Sequence, residues 1–162
     1  MRSLLPLAVV FLATPAAMGR PALLGRDPPW PSAGGQPHPA VVRIVVPEGN
    51  SMSLGSGTLV AVSENLGLVV TNWHVVRDAN GQIVVVFPGG VRCGATVVRT
   101  DRDWDLAALA IRRPNVEPVP LANRPPQPGE PLTIAGYGSG PYRTITGRCT
   151  QYVAPARNQP FE

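Results

Sequence analysis

The chain has 162 residues with a formal net charge of +4, and it contains 20 prolines and 17 glycines. This length suits one domain, but it is short for an all-β unit, which routinely needs about 200 to 250 residues. All 14 basic residues are arginines, spread along the chain without a dense run or interleaved aromatic side chains. This dispersion argues against a nucleic-acid footprint, so we predict no nucleic-acid partner.

The first 19 residues have the features of a secretory leader. Arg2 supplies a positive start, a mainly apolar stretch runs from Leu4 to Leu12, and Ala17-Met18-Gly19 provides a small-x-small cleavage site. The apolar stretch is shorter than the about 20 residues that a transmembrane helix needs. We therefore predict a signal peptide over residues 1–19, no stable membrane anchor, and a secreted or periplasmic location.

Residues 20–39 are dominated by proline and glycine. Proline lacks a backbone donor and both residues oppose regular structure, so we predict a disordered linker. His38 lies between two prolines of this linker, where nothing rigid would hold it as a ligand or a catalytic group. We interpret it as a solvated side chain.

The folded part of the chain is predicted to begin at residue 40 with six short β-strands. They are rich in valine and are separated by turn sequences such as Pro47-Glu48-Gly49-Asn50 and Ala79-Asn80-Gly81. No 3.6-residue amphipathic repeat lies between them, which favours a small closed barrel over a βαβ arrangement. The predicted strands are Val41–Val46, Gly57–Val62, Leu66–Thr71, Gln82–Phe87, Arg92–Arg99 and Leu106–Ile111.

A proline-rich segment then divides the chain. We predict a first β-barrel over residues 40–113, a bridge over 114–131 and a second unit over 132–162. In the second unit, Leu132–Gly138 and Arg143–Val153 predict two or three further strands. Three strands cannot close a barrel and would leave an unpaired edge, so the second barrel is expected to be incomplete within this sequence.

One histidine and one aspartate stand out at predicted strand ends. His74 follows the third strand, and Asp105 directly precedes the sixth. Asp101 and Asp103 compete for the same role, but only Asp105 is followed by an apolar strand that would bury it. A zinc site here would lack a second histidine at helical spacing and a cysteine pair, so we predict no metal and no cofactor.

A histidine and an aspartate are two of the three groups that activate a serine nucleophile. The imidazole takes the hydroxyl proton, and the carboxylate fixes the imidazole tautomer and stabilises the cation. Ser56 lies in a Gly-Ser-Gly string suited to close packing, and Ser139 lies in a glycine-rich turn. We interpret both serines as structural, which leaves no nucleophile among the 162 residues.

Four strings carry a resemblance to a known family. Gly55-Ser56-Gly57-Thr58, Thr71-Asn72-Trp73-His74-Val75-Val76, Asp105-Leu106-Ala107 and Ile134-Ala135-Gly136-Tyr137-Gly138 resemble the trypsin-like serine peptidases. The similarity is greatest to the bacterial HtrA/DegP-type branch. It covers roughly residues 40 to 153.

The resemblance implies an all-β fold of two β-barrels, with the triad in chain order histidine, aspartate, serine. It implies His74 as general base and Asp105 as orienting acid, both on a nearly complete first barrel. It further implies a serine-type endopeptidase acting on a protein or peptide substrate, with the nucleophilic serine expected beyond residue 162. The second barrel is then truncated in this chain.

The two cysteines, Cys93 and Cys149, leave two alternatives open. A secreted location favours a disulfide, which would tie the first barrel to the second, whereas two buried thiols are the other interpretation. The function also has an alternative, a non-catalytic trypsin-like relic or protein-binding module that keeps the base and the acid but cannot acylate. The sequence makes no prediction of oligomeric state.

Overall fold

The computed structural model describes residues 36–138 and 140–152. The predicted signal peptide, most of the predicted linker and Ser139 lie outside the described residues. Among the helices in the described part, none combines the length and the apolar character that crossing a membrane requires.

Six antiparallel strands form a closed barrel in the order β1-β2-β3-β6-β5-β4. This architecture confirms the predicted all-β class, and the one helix among the described residues, the one-turn α1, follows β3. The bounds are β1 Val41–Glu48, β2 Ser51–Val62, β3 Leu66–Thr71, α1 Trp73–Val76, β4 Ile83–Val86, β5 Arg92–Asp101 and β6 Leu106–Arg112.

Alternating apolar side chains fill the barrel, as expected for strands with one face on a core. The inward positions are mostly β-branched or leucine, with alanine or glycine at the rest, and the largest side chains with no more than about one per cent exposure are Ile44, Leu59, Leu109 and Ile111. Strands β3 and β6 pair from Leu66 opposite Arg112 to Thr71 opposite Ala107. This register brings the end of β3 beside the start of β6, which places α1 next to the residue that precedes β6.

Two glycines of β2 allow the barrel to close tightly around this region. A β-carbon at Gly55 would lie 2.6 Å from Cγ1 of Val75 in α1, and one at Gly57 would lie 2.8 Å from Cγ1 of Val69. Glycine is therefore required at Gly55 for α1 to pack directly against β2. The glycines of the Gly-Ser-Gly string were predicted to allow close packing, and these short distances are the physical reason.

The proline-rich bridge packs on the barrel. Val119 is buried, and its N–H donates a 2.9 Å hydrogen bond to the carbonyl of Leu59. Val116 also packs against the core cluster. The chain thus adds apolar side chains to the first barrel before it reaches the second unit.

The second unit contains a two-stranded antiparallel sheet in the described residues, formed by β7 (Pro131–Gly136) and β8 (Arg143–Arg148). Its outer positions include Ile134 and Ile145, which are 58% and 44% exposed. A closed barrel beside a small second sheet matches the predicted double-barrel fold.

The disulfide between Cys93 and Cys149 that a secreted location favours is not present in the structure. Cys93 is a half-buried free thiol and Cys149 a buried free thiol. Cys93 pairs with Val85 in the barrel, and the backbone of Cys149 is hydrogen bonded to Gly129 and Glu130 beside the small sheet. Whether the two cysteines pair in the protein stays a prediction.

Candidate active site

His74 lies in α1 and not at the end of a strand. Asn72, which caps α1, is still extended, with φ −79° and ψ 146°, and the chain turns into the helix after it. The turn sends Val75 and Val76 into the core and leaves the His74 side chain 54% exposed. The prediction of a strand-end histidine is corrected to a histidine on a one-turn helix.

Asp105 lies in the tight turn between β5 and β6. Its φ of 50° is in the left-handed region, which aspartate and asparagine tolerate better than most residues. Asp101 stabilises the same turn, because its Oδ1 accepts the Trp104 N–H at 3.1 Å. The left-handed turn directs the Asp105 carboxylate back towards α1, and only 15% of its side chain is exposed.

The carboxylate of Asp105 meets His74 at both of its oxygens. Oδ2 lies 2.6 Å from Nδ1 of the imidazole, and Oδ1 accepts the backbone N–H of His74 at 2.8 Å. The Trp73 N–H donates to the carbonyl of Asp105 at 3.1 Å. Asp105 therefore binds both the backbone of α1 and the imidazole of His74, which limits rotation of the imidazole.

Asn72 is a further member of this group, and no role was predicted for it. Its Nδ2 donates to the Asp105 carbonyl at 3.1 Å and to Oδ2 at 3.0 Å. The second bond satisfies a carboxylate oxygen that also contacts the imidazole, so it aligns the carboxylate with the ring. The only sequence signal was the position of Asn72 within the Thr-Asn-x-His string.

This arrangement can activate a hydroxyl group. With Nδ1 held by the carboxylate, Nε2 is the nitrogen that can accept a proton, and the exposed ring leaves it accessible to a nucleophile. Among residues 36–138 and 140–152, Asp105 is the only one whose side chain hydrogen bonds to the imidazole. Within the same residues, no group of three or more histidine, cysteine, aspartate or glutamate side chains could hold a metal ion.

Ser56 is engaged elsewhere. Its Oγ accepts the N–H of Tyr137 at 2.8 Å and that of Gly138 at 3.2 Å, joining β2 of the barrel to the end of β7. Arg43 supports this junction, since its guanidinium donates to the Gly140 carbonyl at 2.6 Å and stacks 5.0 Å from the centre of the Tyr137 ring. These contacts link the first barrel to the second sheet.

The sequence matches the trypsin-like peptidase domain over residues 55–160, which contain both His74 and Asp105. The chain belongs to the trypsin-like peptidase family. Family membership agrees with the closed barrel and with the resemblance carried by the four strings.

The similar proteins include serine proteases. A serine protease of Mycobacterium tuberculosis is 31% identical over 134 residues, which are 82% of this chain and 31% of that protein. The Do-like HtrA serine protease of Lactococcus lactis subsp. cremoris is 40% identical over 67 residues, which are 41% of this chain and 16% of that protein.

A solved structure supports the same grouping. The serine endoprotease from Yersinia pestis superposes with a TM-score of 0.63 at 30% identity, over 72% of this chain and 42% of that one. The chain thus spans less than half the length of each of these proteins. Fold and sequence together support an HtrA-type trypsin-like peptidase.

Proposed function

We propose that the protein is a serine endopeptidase in which His74 is the general base and Asp105 is the orienting acid. The observation that carries the proposal is the 2.6 Å contact between Nδ1 of His74 and Oδ2 of Asp105. Membership of a peptidase family gives the pair its reaction class, and the exposed imidazole beside a mostly buried carboxylate suits the base of an acyl-transfer site.

The chemistry follows from the two nitrogens of the imidazole. Nε2 takes the proton of a serine hydroxyl as its oxygen attacks the peptide carbonyl, and Asp105 stabilises the imidazolium at Nδ1. The imidazolium then protonates the departing amine, leaving an acyl-enzyme. Water attacks the ester with the imidazole again as base, which releases the second product and restores the serine.

The nucleophile is proposed to lie in sequence that follows residue 162. Ser56, one of the two serines weighed for the role, uses its Oγ to accept two backbone N–H groups. The family order of histidine, aspartate, serine assigns the serine to the second barrel, of which the described residues contain β7 and β8. In this proposal residues 40–113 form the first barrel, 114–131 the bridge and 132–162 the beginning of the second.

The proposed substrate is a protein or peptide, and the proposed location is secreted or periplasmic. The location rests on the leader-like sequence of residues 1–19, with its positive start, apolar stretch and small-residue cleavage site.

Labelling with a fluorophosphonate probe tests the proposal. The reading frame is extended past residue 162 until it includes a Gly-x-Ser-Gly string, and the product is compared with its His74→Ala and His38→Ala variants. We expect rapid labelling of that serine in the parent and in His38→Ala, and much slower labelling in His74→Ala. Equal labelling of all three, or stoichiometric labelling of Ser56 in the 162-residue chain, would overturn the proposal.

A further inference from the structure

Beside the His74–Asp105 pair lies a group of three side chains, Trp73, Arg77 and Arg102, termed here the arginine–tryptophan cluster. The Arg77 guanidinium carbon lies 5.5 Å from the centre of the Trp73 ring, and that of Arg102 lies 4.7 Å from it. Both distances are within the range of cation–π attraction. One aromatic ring thus positions two positive charges.

The cluster is built on the same two segments as the proposed catalytic pair. Trp73 directly precedes His74 in α1, and Arg77 is the residue that ends this helix. Arg102 belongs to the β5–β6 turn, where its carbonyl accepts the Asp105 N–H at 3.4 Å. The cluster and the proposed catalytic pair are therefore carried by the same two segments, α1 and the β5–β6 turn.

An open depression of about 590 Å³ lies over the cluster, lined by its three side chains with Asp78 and Thr100. The Asp78 carboxylate accepts only the Arg77 Nε–H, at 2.9 Å, so this ion pair leaves the terminal nitrogens of that guanidinium available. Among the residues that the structure describes, Arg102 forms no ion pair. Asp103 is exposed in the same turn, and Asp101 is occupied by the Trp104 N–H.

Guanidinium groups recognise carboxylates through paired N–H donors, and stacking on an aromatic ring reduces the freedom that each arginine loses on binding. We propose that the arginine–tryptophan cluster binds the carboxylate of an acidic side chain in a peptide that occupies the cleft near His74. The ligand class is therefore an aspartate- or glutamate-containing peptide. The identity of the ligand as a peptide rests on the proposed peptidase function, whereas the carboxylate site itself rests on the geometry.

Fluorescence of Trp73 measures binding directly. The full 162-residue chain carrying Trp30→Phe and Trp104→Phe retains Trp73 as its one tryptophan, and it is titrated with acetyl-Ala-Glu-Ala-amide. We expect a saturable change in emission, with the matched acetyl-Ala-Gln-Ala-amide binding at least about fivefold more weakly because it lacks the charge. Acetate, a carboxylate without a peptide, should also bind more weakly than the glutamate peptide.

Charge-neutralising variants locate the site. Arg77→Gln and Arg102→Gln should each weaken binding of the glutamate peptide by about fivefold to tenfold, the effect of removing a charged hydrogen-bond donor at a partly exposed site. Arg92→Gln, at an exposed position at the start of β5, is the matched control and should leave binding unchanged. If a cluster variant fails to fold, the parent chain is titrated in about 1 M NaCl. The glutamate peptide should then bind more weakly, because this salt concentration shortens the Debye length to about 3 Å.

Three outcomes would overturn the proposal: equal binding of the glutamate and glutamine peptides, acetate binding as tightly as the glutamate peptide, or equal effects of Arg92→Gln and Arg102→Gln. The titration needs no nucleophile, and fluorophosphonate labelling needs no acidic peptide. If the glutamate peptide does not bind but the extended chain is labelled, the carboxylate site alone is rejected. If the peptide binds but the extended chain is not labelled, the peptidase function alone is rejected.

Discussion

The carboxylate of Asp105 holds His74 at two points, Oδ1 on the backbone N–H at 2.8 Å and Oδ2 on the imidazole Nδ1 at 2.6 Å. Because one rigid group contacts both the helix backbone and the ring, the imidazole is oriented before any substrate arrives. Asp105 adopts this position through a left-handed backbone conformation, φ 50°, in the turn before β6. Orientation of the imidazole is thus built into the connection between two strands of the first barrel.

Asp105→Asn should preserve the fold and change the tautomer of His74. Asparagine tolerates the left-handed backbone, and its amide can still accept the backbone N–H, but an amide N–H directed at Nδ1 favours the Nε2–H tautomer. In the extended chain we expect kcat to fall by about 10⁴, the effect known for this substitution in a serine peptidase triad. Imidazole ¹⁵N chemical shifts measure the tautomer in the 162-residue chain.

Asp103→Asn is the matched control for that experiment, because it removes a carboxylate from the same turn without touching His74. Its ¹⁵N shifts should match those of the parent. If Asp103→Asn changed the His74 tautomer and Asp105→Asn did not, the assignment of the orienting acid would be wrong.

Asn72→Ala should loosen the carboxylate while leaving the barrel folded. It removes two hydrogen bonds, of 3.1 and 3.0 Å, to the Asp105 carbonyl and Oδ2. Each is worth about 1 kcal/mol at most at an exposed site, so we expect about 1 to 2 kcal/mol less stability in chemical unfolding. In the extended chain, kcat should fall while KM stays close to that of the parent, since Asn72 acts through Asp105.

The comparison variant is Asn80→Ala, an exposed asparagine whose backbone N–H, and not its side chain, bonds to Pro47. It should unfold at the same denaturant concentration as the parent. A stability loss in Asn80→Ala equal to that in Asn72→Ala would mean that the Asp105 contacts contribute nothing specific.

Gly55→Ala should displace α1. A β-carbon there would lie 2.6 and 2.8 Å from the two γ-carbons of Val75, both parts of a short, stiff side chain next to His74. Overpacking of this kind destabilises by about 1 to 3 kcal/mol. The double variant Gly55→Ala/Val75→Ala should recover part of the loss, which a thermodynamic cycle from urea unfolding would measure.

Gly147→Ala supplies the control for added bulk, because nothing lies within 4 Å of a β-carbon at that position of β8. It should be nearly neutral. An equal loss of stability in Gly55→Ala and Gly147→Ala would contradict the packing argument. So would a thermodynamic cycle that shows no interaction energy between Gly55→Ala and Val75→Ala.

Ser56→Ala should weaken the junction between the barrel and the second sheet. The hydroxyl accepts the N–H groups of Tyr137 and Gly138, and without it both lose their acceptor. We expect about 1 to 2 kcal/mol less stability and faster hydrogen exchange at these two amides. Ser53→Ala, on the same strand β2, is the control and should leave hydrogen exchange at Tyr137 unchanged. Exchange at Tyr137 and Gly138 that is equal or slower in Ser56→Ala would contradict the role of Ser56 as their acceptor.

Much of the barrel could be predicted because local patterns determine it. Valine-rich runs between turn sequences gave all six strands, and β3 has the predicted bounds, Leu66–Thr71. The one-turn helix α1 was missed because four residues are too few to display a 3.6-residue period. His74 therefore lies on a helix and not at the predicted strand end, but its partner is still Asp105.

The parts of the site that escaped prediction depend on contacts between distant residues. Asn72 and Asp105 are 33 positions apart, and Ser56 and Tyr137 are 81 apart. The first pairing follows from the register of β3 and β6, in which Thr71 lies opposite Ala107, and the second from the packing of the small sheet against β2. The left-handed Asp105 is likewise a consequence of the tight turn, which composition alone did not reveal.

Steady-state hydrolysis of a peptide substrate by the extended chain, with and without His74→Ala, tests the proposed function most directly. Because triad members act as a unit, we predict that kcat falls by about 10⁴ to 10⁶ in His74→Ala, while His38→Ala keeps the parental rate. Unchanged hydrolysis in His74→Ala would contradict the assignment of His74 and Asp105 as the base and acid of a serine endopeptidase.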